Sequence, residues 1–409
     1  MSEIKKIRGF QDIHGENAKK YRYVVETARE IFEKYNFQEI ILPYVEDISL
    51  FKRSVGEATD IVQKEMYVFE DKGGRTVALR PEGTASTVRA FIEDRMYAKG
   101  GYHKLFYEGA MFRYERPQAG RYRQFHQIGA EIFGVESPLG DAELIKMVKD
   151  ILDKLKINVR LEINSLGDFE SRKRYIEALK EYLKEHQDEL CETCKTRMDT
   201  NPLRVLDCKV ETCKQATTDA PVLTEFLSEK SLERYTKLKE YLKSMEIDFV
   251  ENPRLVRGLD YYTDTVFEFI TDEIGAQGTV AAGGRYDNLV EQLGGPKTPA
   301  LGFAAGIERL MLLLKELPKE KPLVVVIPVV SDFNLEGLKI ADSLRNKGLR
   351  IELLLKEGSM KSKMKLANKL NSKYVIFVGE KPELKDMTTG EQEIFENVED
   401  LIDVVVEKV

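Results

Sequence analysis

The chain has 409 residues, 42% of them apolar and 33% charged, with a net charge of −7. That length exceeds what a single hydrophobic core fills, so two or three domains are expected, and the acidic balance argues against an indiscriminate nucleic-acid binder. No apolar run approaches the ~20 residues that span a bilayer, and the Lys-rich start lacks the apolar core of a signal peptide, so no membrane partner and a cytoplasmic location are expected.

Ala18 to Tyr35 carries Tyr21, Val24, Val25, Ala28, Ile31 and Phe32 at helical spacing. It leads into a β-rich run, Phe37–Val45, that contains Pro43. Apolar stretches at Lys104–Tyr114 and Gln124–Phe133 predict two strands joined by a long loop. Gly140 to Lys156 is helical again, with an apolar stripe from Leu144 to Leu155. From about Ser165 to Phe249 the texture changes to long charged helices, a helical insertion over 168–248. The sheet pattern returns at Phe249 and at Val266–Ile270. A charged, Pro-bounded linker, Leu317 to Pro322, opens a last region over 322–409. There a buried strand at Val324–Val330, a helix at Leu335–Lys347, a strand at Leu349–Leu355, a helix at Met360–Leu370 and a strand at Tyr374–Gly379 imply a largely parallel sheet.

The loop between the two central strands is the most informative stretch. Arg113 to Gln127 holds four arginines, one acid (Glu115), a Pro-Gln-Ala-Gly turn and the aromatic pair Phe125 and His126. Arginines gathered at a hairpin mouth suit a polyanion; a solvated hairpin with a charged rim is the plainer alternative. A second basic patch, residues 345–373, has nine Lys/Arg against two acids, and the tail 380–409 reverses the balance with ten acids against three bases. All four cysteines fall in one stretch, Cys191-x-x-Cys194 and then Cys208-x4-Cys213. In a cytosolic protein that spacing reads better as a thiolate zinc site than as disulfides, and four free, partly buried thiols fit it equally well.

Phe112-Arg113-x-Glu115-Arg116-Pro117, continuing to Arg121-x-Arg123-Gln124-Phe125, resembles motif 2 of the class II aminoacyl-tRNA synthetases in the form found in histidyl-tRNA synthetases. Three further runs are similar to that family: Leu79 to Thr84 (LRPEGT) to its amino-acid-binding loop, Leu255 to Phe269 (LVRGLDYYTDTVFEF) to its histidine signature, and Ala281 to Asp287 (AAGGRYD) with Pro299–Phe303 and Gly306–Arg309 to its second signature and motif 3. Phe37–Val45 resembles motif 1, the family's dimer element. The resemblance implies an α/β chain: an α+β catalytic domain on an antiparallel sheet over 1–167 and 249–317, interrupted by the helical insertion, then an α/β anticodon-binding domain over 322–409. It implies a homodimer that joins histidine to its tRNA with ATP and Mg2+.

The resemblance also implies roles, position by position. Arg113 would hold the amino-acid carboxylate and the α-phosphate together, with Arg257 beside the α-phosphate. Arg121 and Arg309 would grip the γ-phosphate end, and Phe125 would stack on adenine. Glu82, Gly83, Thr84 and Gln127 would surround the substrate's ammonium, and Glu131 would accept the imidazole N–H. Tyr262 would face the other side of the ring; Tyr261, adjacent in an extended segment, would point to the opposite face. Gly283 and Gly284 would permit close approach at the pocket floor. Arg116 and Gln118 would face the tRNA acceptor end. The rival is a binding protein, the synthetase-like regulatory subunit of ATP phosphoribosyltransferase, which shares the catalytic fold without the C-terminal domain; residues 322–409 and an intact LVRGLDYY argue for the enzyme. Asp12-Ile13-His14-Gly15 lacks the Leu-Pro common after Asp-Ile, and Asn288 stands where Gly is common; neither touches a matched ligand.

Overall fold

The computed structural model describes residues 3–56, 59, 61–206, 208, 210–257, 259, 261–274 and 278–409. These form two compact units, Met1–Leu317 and Pro318–Val409. The larger is built on an eight-stranded sheet in the spatial order Gln38–Glu39, His103–Phe112, Gln124–Phe133, Ala300–Gly306, Thr279–Arg285, Thr263–Ile270, Arg160–Ser165, Val250–Glu251. The six central strands pair antiparallel, and only the two short edge strands pair parallel.

Alternation along these strands separates a helix-packed face from a site-bearing face. Ile128, Ala130 and Ile132 join Phe106, Phe267, Phe269, Leu301, Phe303 and Ala305 in one buried cluster under the helices Gly15–Lys34, Pro138–Lys154, Glu229–Ser244 and Ile307–Leu313. Phe125, Gln127, Gly129 and Glu131 occupy the alternate positions of their strand. On the neighbouring strand the positions paired with Glu131, Gly129 and Gln127 are Gly302, Ala304 and Gly306. Three such small residues in alternation leave the site-bearing face hollow.

Within the charged segment the helices are Phe169–Glu185, Glu192–Thr200, Glu211–Ala216 and Glu229–Ser244. Asp168 and Ser228 cap the first and last, accepting from the N–H groups of Ser171 and Ser231. The last helix buries Tyr235, Leu238 and Leu242 in the main sheet's core. The other three share a second cluster with Tyr261, Tyr262 and Tyr286, so their packing backs the site.

The run Phe37–Val45 is less strand-like than its composition predicts: Gln38–Glu39 pairs with the sheet edge, and pairing resumes at Val45–Asp47 in a small antiparallel sheet with Thr76–Leu79 and Val68–Glu70. Pro43, between them, has no N–H to give a ladder.

In the second unit the strands Leu323–Pro328, Arg350–Leu353 and Tyr374–Val378 are parallel, as the strand–helix alternation predicts. The tail then adds two strands that periodicity did not reveal, Glu383–Asp386 and Gln392–Ile394, both antiparallel. The sheet is therefore mixed, because short reversals at 379–382 and 387–391 replace crossover helices.

Candidate active site

A cavity opens on the hollow face. Its walls come from the start of the helix Thr84–Glu93, the motif 2 hairpin, the residues Arg257, Leu259, Tyr261 and Tyr262, and the helix start at Gly306–Arg309. Glu82, Thr84, Arg113, Arg121, Phe125, Gln127, Arg257, Tyr261, Tyr262 and Arg309 all line it, so residues far apart in the chain meet here.

One end is buried and rich in carboxyl and hydroxyl groups. Glu82 accepts from the backbone N–H of Thr84 at 2.7 Å and of Ala85 at 2.9 Å, satisfying two donors that the helix start leaves free. Burial raises its pKa despite those N–H groups and the nearby Arg113. Glu131 is fully buried and sits behind this wall. Its Oε1 accepts from Thr84 Oγ1 at 2.8 Å and Tyr107 Oη at 3.2 Å, and its Oε2 accepts from Tyr286 Oη. Burial is the largest cause that pushes this carboxyl up to about 8, with the Glu82 charge adding and the hydroxyls opposing. No arginine pairs with it in the described hydrogen bonds; hydroxyls take that place.

The glycines make this packing possible. A Cβ on Gly302 would lie 1.5 Å from Glu131 Oε2, and Cβ atoms on Gly83 and Gly129 would fall 2.3–2.8 Å from ring atoms of Tyr107. Gly83 therefore makes room for Tyr107 and does not itself line the cavity, contrary to its expected ligand position. Gly283 packs against the Gly302 carbonyl and Gly284 against the Tyr262 ring, beneath the floor. Tyr261 and Tyr262 do not point to opposite faces: both line the cavity, with ring centroids 4.7 Å apart. The strand begins only at Thr263, so strict alternation does not govern the pair. Gly258 and Asp260 of the same run lie outside the described residues.

The other end is cationic. Arg113 donates from Nε to the Pro81 carbonyl at 2.9 Å and stands 5.3 Å from the centre of the Phe125 ring. Arg121 pairs with Glu115, held by a turn in which Gln118 and Arg121 exchange backbone hydrogen bonds. Arg309 donates to the Thr279 carbonyl at 2.5 Å. Burial and then the charge of Arg121 lower the Arg309 pKa, the signature of cations gathered without enough anion. Arg257 pairs with Glu268 and lies 5.6 Å from the centre of the Tyr262 ring. Burial opposes its charge, but Glu268 and Tyr262 outweigh burial and raise its pKa. His126 is tied by its N–H and ring Nδ1 to Glu308, which joins the hairpin to the helix that carries Arg309.

Among the described residues, two buried side-chain atoms of cavity-lining residues have no hydrogen-bond partner: the acceptor Gln127 Oε1 and the donor Arg257 Nε. Arg116 and Gln118 are exposed on the hairpin loop, outside the cavity. The four cysteines converge elsewhere, within the helical segment. Sequence reasoning missed Tyr107, Tyr286, Glu268 and Gly302 as site-shaping residues. Tyr286 and Gly302 sit inside quoted motifs, but their roles depend on register with Glu131.

Comparison with known proteins agrees with this geometry. The family described as histidyl-tRNA synthetase matches residues 9–310, and an anticodon-binding domain family matches 323–408. The histidine–tRNA ligase of Aquifex aeolicus is 58% identical over 95% of this chain and 98% of its own length. That of Caldanaerobacter subterraneus is 48% identical over 94% of this chain and 95% of its own. The crystal structure of apo S. aureus histidyl-tRNA synthetase superposes with a TM-score of 0.83 at 37% identity, covering 99% of this chain and all of that one. The chain belongs to the histidyl-tRNA synthetase family of class II aminoacyl-tRNA synthetases.

Proposed function

We propose that the cavity joins histidine to ATP, giving histidyl-adenylate and pyrophosphate, and then passes histidine to the 3′ end of its tRNA. The observation that carries this reading is a pair of buried groups in one cavity that have no partner among the described residues, Gln127 Oε1 and Arg257 Nε. Such groups are costly unless a ligand satisfies them. An orphan acceptor beside Glu82 suits an ammonium, and an orphan donor beside a cluster of arginines suits a carboxylate or phosphate.

Histidine then sits at the buried end. Glu82, Thr84 and Gln127 take its ammonium. Glu131 and Tyr262 take the two imidazole nitrogens, one of which donates and the other accepts when the ring is neutral. Three hydroxyls already hold Glu131, so its carboxyl is fixed in place before substrate arrives. Arg113 bridges the substrate carboxylate and the α-phosphate, and Arg257 neutralises charge that develops there. Arg121 and Arg309 bind the distal phosphates, and the adenine stacks on Phe125 opposite Arg113. The chemistry is chiefly positioning and charge stabilisation. Mg2+ neutralises phosphate charge when bound. Glu115 and Glu308, carboxylates that line the cavity beside the arginines, would hold it through hard oxygen ligands.

Arg116 and Gln118, exposed on the hairpin loop, meet the tRNA acceptor end. The protein acts in the cytoplasm as a homodimer; among the described residues no helix is long and apolar enough to cross a membrane. Exposed Ile41, Tyr44 and Val45, with Val68 on the same small sheet, supply an apolar surface for a second copy. Histidine-dependent ATP–pyrophosphate exchange tests the activity. Exchange driven by histidine and by no other standard amino acid is expected; exchange indifferent to histidine overturns the assignment.

A further inference from the structure

The helical segment between Gln187 and Ala216 is built from short pieces: the helix Glu192–Thr200, a single turn at Pro202–Val205 and the helix Glu211–Ala216. It buries few large apolar side chains of its own, chiefly Leu190, Met198 and Val205. Units with so small a core usually need a staple. Cys191, Cys194, Cys208 and Cys213 meet at its centre, with all four sulfurs within 4.8 Å of one another. Cys194 and Cys213 are fully buried, while Cys191 and Cys208 are partly accessible and 3.9 Å apart at sulfur.

We propose that these four thiolates bind one zinc ion that staples the segment and holds it against the histidine-signature run. Four sulfurs around an ion at about 2.3 Å form a tetrahedron with edges of about 3.8 Å. The cluster therefore needs only a contraction of about 1 Å at its widest pairs. Mutual convergence of all four sulfurs favours an ion over two disulfides, which need only pairwise approach. The backbone N–H of Cys191 donates to Cys213 Sγ at 3.1 Å, a contact that favours the charged thiolate. Soft thiolates exclude Mg2+ and Ca2+, and sulfurs this close leave no room for a multi-iron cluster between them.

The ion's reach extends to the active site. Arg254 donates to the carbonyls of Thr218 at 2.8 Å and Ala220 at 2.7 Å, just beyond the helix that carries Cys213. Tyr182 and Tyr175 bind the carbonyls of Ala216 and Pro221 at 2.9 and 3.0 Å. Three residues after Arg254 comes Arg257, a wall of the cavity. The zinc knuckle thus fixes the outer side of the run whose inner side binds substrate.

Elemental analysis of the full-length protein, purified under reducing conditions without added metal, tests the ion directly. About one zinc per chain is expected, with the thiols reacting with a mercurial only as zinc is released to a chromogenic chelator. Zinc far below stoichiometry with four freely titrating thiols, iron in its place, or two disulfides overturns the proposal. Cys208→Ser, at the partly accessible corner, is expected to lose the ion. Limited proteolysis of the same full-length chain reports the staple: removing the metal should open first cuts between residues 187 and 221. An unchanged cleavage pattern after metal removal overturns the structural role.

Discussion

The two ends of the cavity differ in how they hold charge. At the carboxyl-rich end, proposed for histidine, Glu82 and Glu131 are 4% and 0% exposed and are held by N–H and O–H donors, with no cation against Glu131 among its bonds. At the arginine-rich end, proposed for the phosphates, Arg121 keeps 38% of its side chain exposed and leans on Glu115, while Arg257 leans on Glu268. On the proposed reading, a small, neutral ring is recognised there by geometry fixed in advance, with the Gln127 acceptor left open for the substrate. On the same proposed reading, a polyanion brings its own charge, and the arginines rest on carboxylate partners that the phosphates would replace. Selectivity would then be stored at the first end and rate at the second.

Arg113 touches both ends, and its loss should therefore be the most damaging. Arg113→Ala should remove stabilisation worth several kcal/mol, lowering the exchange rate ~100-fold or more. Rates within a few-fold of the parent at saturating ATP and histidine would detach Arg113 from the chemistry and erase the contrast at its junction.

A smaller effect belongs to the C-terminal unit. Lys361, Lys365 and Lys369 are exposed and follow one another at four-residue intervals on the helix Met360–Lys369. Lys363 points elsewhere, donating to the Pro328 carbonyl at 2.6 Å, so it drops out of the basic face that the sequence suggests. Changing the three exposed lysines to Ala should weaken tRNA binding and reduce its salt slope by ~0.7–0.9 for each phosphate that is no longer neutralised. Pyrophosphate exchange should not change. Equal tRNA affinity across salt concentrations would show a merely solvated face.

The pH dependence of stability sharpens the contrast from the carboxyl-rich end. Glu131 titrates near 8 when folded against 4.5 when unfolded, so the native state holds the extra proton. Its contribution to the stability of the ligand-free protein is full below about pH 4.5 and is lost as pH rises through 8. Glu131→Gln should flatten the fall in melting temperature between those limits. An identical slope in both proteins would mean that the carboxyl is solvated.

Much of this site was legible in the sequence, and the limits have physical causes. The strand Gln124–Phe133 and the arginines at its hairpin mouth stand where the sequence puts them; alternation along that strand sets Phe125, Gln127 and Glu131 on one face, of which Phe125 and Gln127 line the cavity. Tyr261 and Tyr262 misled because alternation was applied before the strand begins. Tyr107 and Gly302 were silent because each matters through a cross-strand neighbour, Gly129 and Glu131 respectively, and one sequence does not print register. The antiparallel tail of the second unit was hidden among charged residues whose strands are short, the second of them exposed throughout.

The most direct test of the division between the two ends is Glu131→Gln, measured by KM for histidine and for ATP in the same exchange assay, with a melting curve alongside. Above about pH 8, where this carboxyl is ionised, a charge-assisted bond in a desolvated pocket is worth ~1.5–3 kcal/mol, so kcat/KM for histidine should fall roughly 10- to 150-fold there with the KM for ATP nearly unchanged. Near-normal histidine kinetics with a lower melting temperature would contradict the account, and would make Glu131 a hub that holds Thr84, Tyr107 and Tyr286 without reading the substrate.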